Sequence, residues 1–177
     1  MAQTLQKCTI SSQITAILTN ALDLSTPDDT LSLSRKMDLT GGTGVGKGDQ
    51  LWHDTRTLTT GANEALDLYG GLTNGLGQTV NFNTIRAVVI VNPSTVNTLI
   101  IGGAAVNAWG SMFADDSDKL VLRPSASTTS LSFVILAGPD ATGYDVAAGT
   151  ADQLKIEHGG EDSTSTAYQI VLIGEQA

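Results

Sequence analysis

Residues 31–177 run as short stretches of alternating apolar and polar side chains, each cut off by Gly, Asn, Asp or Pro. In an extended chain, side chains two apart share one face and β-branched residues fit the pleat, so this rhythm specifies sheet. Leu31, Leu33, Met37 and Leu39 fall on one face with Arg35, against Ser32, Ser34, Lys36 and Asp38 on the other. That pattern predicts a half-buried strand. Residues 51–58 put Trp52, Asp54 and Arg56 on one side and His53, Thr55 and Thr57 on the other. Residues 85–91 are apolar almost throughout, as expected of a central strand, and Asn92-Pro93-Ser94 ends them. Asn74-Gly75 marks a tight turn, because both positions tolerate positive φ.

Further strands are expected at 98–102, 119–123, 130–137, 143–146, 153–157 and 167–174, about a dozen in all. No convincing amphipathic helix interrupts them. Val106, Trp109, Met112 and Phe113 are spaced to allow one or two helical turns, read as a plug at one end of the core. The turns do not recur at a fixed period, which argues against propeller blades or a solenoid. Two packed sheets hide both faces of so many short strands most simply. The expected fold is all-β, an antiparallel β-sandwich of jelly-roll type.

A length of 177 residues suits one domain, and a chain of this size buries about two thirds of its unfolded surface without a metal or disulfide. Residues 1–12 are polar apart from Leu5, Cys8 and Ile10, and read as an extended N-terminal arm that orders only against a neighbour. Residues 13–177 then form the single sandwich domain. Residues 14–24 fit a two-residue period through Ile14, Ala16, Leu18, Leu22 and Leu24, and a helical stripe through Ile10, Ile14, Ile17, Leu18, Ala21 and Leu22 equally well. Strand is preferred because everything downstream is strand, with Pro27-Asp28-Asp29 turning the chain.

Nine basic and eighteen acidic side chains leave a net charge of −9, which repels DNA phosphate and anionic lipid alike. Neither nucleic acid nor membrane is expected as a partner. Cys8 is the only cysteine, so no intrachain disulfide forms and the fold is independent of an oxidising compartment. No leader or membrane-length apolar run is recognisable, which places the expected site of synthesis in the cytoplasm.

Few residues suggest chemistry. Gly41-Gly42-Thr43-Gly44-Val45-Gly46-Lys47-Gly48 nearly spells a phosphate-binding loop, but Gly48 stands where Ser or Thr would hold magnesium, and a strand rather than a helix follows. A mobile loop able to adapt to a neighbouring subunit is expected instead. His53 and His158 are the only histidines, and Asp54 beside His53 points to the opposite face of a strand, so a catalytic triad is not expected. No Gly-x-Ser-x-Gly elbow occurs. Asp115, Asp116 and Asp118 gather three carboxylates in one loop, without the spacing or distant Glu of a helix-loop-helix calcium site, so a solvated turn is the simpler reading. One Cys and two distant His do not make a zinc site. No enzyme activity, cofactor or metal is expected.

The string Trp52-His53-Asp54-Thr55-Arg56-Thr57-Leu58, with Glu64-Ala65-Leu66-Asp67-Leu68 and Gly70-Gly71-Leu72-Thr73, resembles a family of small structural proteins from tailed bacteriophages. The likeness continues through Ile101-Gly102-Gly103-Ala104-Ala105-Val106-Asn107-Ala108, residues 138–146 and Tyr168-Gln169-Ile170-Val171-Leu172-Ile173-Gly174. The resemblance implies a virion component, a minor capsid or decoration (cement) protein bound to the major capsid protein. A homotrimer is expected, since shells offer local threefold positions and a closed ring protects sheet edges. The alternatives are a tail or baseplate component, or a carbohydrate- or receptor-binding sandwich module, which would need exposed aromatic platforms.

Overall fold

A computed structural model describes residues 5–160 and 162–176. Its elements are β1 (Lys7–Thr19), β2 (Asp28–Gly41), β3 (Lys47–Gly48), β4 (Gln50–Leu58), β5 (Asn63–Asp67), β6 (Tyr69–Thr73), β7 (Thr79–Asn92), β8 (Leu99–Gly102), β9 (Lys119–Leu122), β10 (Ser132–Ala137), β11 (Tyr144–Asp145), β12 (Gln153–His158) and β13 (Thr166–Gln176). Among the described residues there is no helix. The fold is all-β, in antiparallel sheets, as the alternation specifies.

Two sheets face one another. One runs β10-β7-β13-β4, with β6 and β11 also pairing β7, and the other runs β5-β12-β8-β9. Chain neighbours alternate between them: β4 passes to β5, β7 to β8, β9 to β10 and β12 to β13. Trp52, Phe82, Val88, Ile90, Tyr168, Ile170 and Leu172 of the first sheet meet Leu66, Leu99, Ile101, Leu122, Leu154 and Ile156 of the second in one buried core. β7 is central, paired on both sides by β10 and β13. Its continuous apolar run reflects burial of both faces over much of its length.

Residues 104–113 form no helical turns. They cross the end of the sandwich as an irregular segment that drops Trp109 into the core, its indole Nε1–H donating to the Asp145 carbonyl at 2.7 Å and its ring edge-on to Tyr144. Trp109 therefore plugs the core as expected, with loop geometry rather than a helix presenting it.

The N-terminal region differs more. Lys7 to Ser12, expected to order only against a neighbour, pair within the chain with Arg35 to Thr40. β1 and β2 form one unbroken antiparallel ribbon from Lys7↔Thr40 to Thr19↔Asp28, so the boundary expected after residue 12 falls inside a strand. Residues 1–4 of the expected arm lie outside the described residues. The reason is register: alternation in residues 8–16 matches that in 31–39 position for position, so pairing the two displays both stripes on one face. The ribbon closes through Asn20 N–H on the Pro27 carbonyl and Leu22 N–H on the Ser25 carbonyl.

Candidate functional site

Cross-strand partners share a face, so one side of the ribbon carries Cys8 with Leu39, Ile10 with Met37, Ser12 with Arg35, Ile14 with Leu33, Ala16 with Leu31, and Leu18 with Asp29. The other side is polar except for Ile17. Only the root of the apolar face is covered. Leu5, Cys8, Ile10, Met37 and Leu39 pack on Ala87, Val171 and Ile173, which lie on the face of the β10-β7-β13-β4 sheet turned away from the main core. Beyond Ser12 and Arg35, apart from the half-buried Leu33, the ribbon's apolar stripe goes on largely uncovered. Ile14, Leu18 and Leu31 are 54%, 74% and 53% exposed, and Leu24 at the tip is fully so.

The sheet face beneath has the same character. Its rows run Ala137–Ala87–Ile173–Leu51, Ile135–Val89–Val171–His53 and Phe133–Val91–Gln169–Thr55. The ribbon root covers Ala87 and Ile173 and part of Val171, and leaves Phe133 59% exposed at the β10 edge. Between ribbon and sheet lies a groove of about 680 Å³, walled by Ile10, Ile14 and Met37 above and Phe133, Ile135 and Pro139 below, with Arg35 and Lys36 at its rim. Lys36 pairs with Asp38 at 2.7 Å, and among the described residues Arg35 has no carboxylate partner.

A buried clasp holds the ribbon root. Arg86 is fully buried and its Nη2 meets Glu175 Oε1 at 2.8 Å. Arg86 Nη1 donates to the Asp140 carbonyl and Nη2 to that of Ala141, while Glu175 Oε1 also accepts the Gly44 N–H. The Gly-rich segment at 41–48, expected to be mobile, is thus tied down: Gly46 N–H bonds the Pro139 carbonyl, and Lys47–Gly48 pairs in parallel with Thr40–Gly41. Its glycines provide positive φ at 42, 44 and 46 for this compact path. Strand β4 follows it directly, so no helix terminus faces the loop.

The other residues of chemical interest are dispersed. His53 is exposed on the outer face of β4, while Asp54 lies on the opposite face and pairs with Arg56 at 3.1 Å. His158 is buried in the second sheet; its Nδ1 accepts the Gly160 N–H, so Nε2 carries the proton and donates to the Thr164 carbonyl at 2.9 Å. It clamps a loop. Arg56 Nε donates to Glu64 at 2.7 Å, and Glu64 also accepts the buried Tyr168 hydroxyl at 2.9 Å. Desolvation, then the neighbouring Glu64 charge, pushes that hydroxyl far above the ordinary tyrosine range.

In the acidic loop, Asp115 Oδ1 accepts both the hydroxyl and the N–H of Ser117, which hold its carboxyl below the ordinary range, and Asp118 accepts the Asp115 N–H. The carboxylates close their own turn. Among the described residues no group of three or more His, Cys, Asp or Glu is placed to hold a metal. Cys8 faces the sheet from the ribbon root, and burial, followed by the Asp38 charge, pushes its thiol up. Both tryptophans are buried. No helix of the described residues is long and apolar enough to cross a membrane.

What the arrangement offers is surface: an apolar ribbon face, an apolar sheet face and a groove where they meet. The alternation of β1 and β2 was readable in advance, but not that the body is too short to cover it. No family model, curated protein or solved structure matches the chain.

Proposed function

We propose that the protein is a structural component of a tailed-bacteriophage virion, a decoration protein that binds the major capsid protein on the outer head surface and stabilises the shell by bridging capsomers, as a homotrimer. The observation that carries this reading is the half-covered ribbon, which keeps Ile14, Leu18, Leu24 and Leu31 in solvent. Monomers rarely expose contiguous apolar surface of this kind unless something docks on it. Several features support the reading. The strand orders β4-β13-β7-β10 and β5-β12-β8-β9, with the chain crossing repeatedly between sheets, support a jelly-roll reading, an architecture common in viral capsid domains. A net charge of −9 suits the outside of a shell, away from packaged DNA. Burial of both tryptophans withdraws the side chains that most often form the platforms of a carbohydrate-binding module.

The test is electron microscopy of phage heads lacking the protein, with and without the purified chain added. Added density over head capsomers, with heads that withstand a higher temperature before releasing DNA, is the expected result. Density confined to the tail, or none, overturns it.

A further inference from the structure

The ribbon's uncovered face and the groove at its root are complementary to each other. Inside one chain, the root of the apolar stripe already seals onto the outer sheet face through Ile10, Met37 and Leu39 on Ala87, Val171 and Ile173. The same stripe continues past the point where the sheet ends, and the same sheet face continues past the point where the stripe crosses it. Each half lacks what the other half has.

Charge points the same way. The ribbon root holds Lys7, Arg35 and Lys36 against Asp38 alone, whereas the tip holds Asp23, Asp28 and Asp29 with no basic residue. Within 7–41 three basic and four acidic side chains nearly cancel, leaving six basic and fourteen acidic for the rest of the chain. The ribbon is therefore the part of an acidic molecule that meets another copy with least repulsion, and its acidic tip suits the basic rim of a groove root.

We propose that the occupant of this groove is the ribbon of a second copy: Leu18, Leu22, Leu24 and Leu31 of one chain seat against Phe133 and Ile135 of the next, with Asp29 beside the neighbour's Arg35. The contact is heterologous, ribbon into groove, so copies close into a ring when the rotation allows. This sharpens the self-association within the capsid reading and does not need the shell.

The test is sedimentation of the purified chain, alone and as variants. Wild type is expected to be oligomeric at micromolar concentration. Leu18→Ser/Leu22→Ser/Leu24→Ser, which spoils the ribbon, and Phe133→Ser, which spoils the groove, are each expected to be monomeric with unchanged melting temperature, because all four side chains are exposed in the monomer. Mixed, the two variants are expected to form a heterodimer, since the Phe133 variant keeps its ribbon and the triple variant keeps its groove. Arg35→Glu is expected to weaken wild-type association about tenfold, and Asp29→Lys in the partner to restore it. A monomeric wild type, or an oligomer that survives Phe133→Ser, overturns the proposal. A monomer that decorates heads through its ribbon overturns the second copy as occupant and leaves the capsid reading standing, whereas an oligomer that ignores heads does the reverse.

Discussion

Arg86 and Glu175 show how much depends on single side chains here. Both are buried, and between them they join β7, β13 and the segments around Gly44 and Asp140. Removing one partner of a buried pair strands the other's charge, at a cost of about 3–5 kcal/mol. Glu175→Gln is expected to lower stability to urea by that order and to speed amide exchange at Gly44. Unchanged exchange there would show that the clasp does not hold the loop. Tyr168 gives a pH dependence. Its folded-state value is raised by burial and by Glu64, so its contribution is complete below the ordinary value of 10 and is lost as pH rises above it, because the unfolded chain gives up the proton first. Stability is expected to be flat to about pH 9 and to fall above 10, with a shallower fall in Tyr168→Phe. Absorbance titration checks this: a tyrosinate signal that appears only as the protein unfolds should be present in wild type and absent in Tyr168→Phe.

At the level of elements, the ribbon divides into a root that belongs to the body and a distal half that does not. Leu39 is fully buried where the root meets the sheet, and Leu39→Ala is expected to cost about 2–4 kcal/mol, measured by chemical denaturation. Replacing residues 14–33 by Asn-Gly between the paired Gln13 and Ser34 is expected to leave the melting temperature within a degree or two of wild type. A large loss of stability on that truncation would mean that the distal half supports the fold. The junction of β13 with β7 depends on a bulge: the register passes from Ile173↔Ala87 to Gly174↔Ile85, leaving Arg86 out of the ladder and free for the clasp. A Cβ at Gly174 would collide with the Thr84 carbonyl, so Gly174→Ala is expected to destabilise by about 2–3 kcal/mol.

For the whole molecule, the balance lies between apolar surfaces that attract and a charge of −9 that repels. Salt screens the repulsion within about 10 Å at 0.1 M and leaves apolar burial almost untouched. Self-association is therefore expected to tighten as sodium chloride rises from 0.01 to 0.15 M, whereas attraction between opposite charges alone would weaken. Light scattering across that range distinguishes the two.

Local alternation by itself determined most of the sheet: strands near 51–58, 85–91, 98–102, 119–123, 153–157 and 167–174, the turn at Asn74-Gly75, the faces of β2 and β4, and the all-β class. Side-chain periodicity of two is a property of each short segment, so it can be read without knowing any partner. What only the tertiary structure decided is which segments meet. Polarity in residues 7–12 suggested an arm because the pairing that orders it lies nearly thirty positions downstream, and Gly41–Gly48 looked mobile because Arg86, Glu175 and Pro139 hold it from across the fold. Coverage is likewise non-local: the stripe on β1 and β2 has one pattern along its length, yet the body ends partway beneath it, so the same alternation is core at Leu39 and open surface at Leu31.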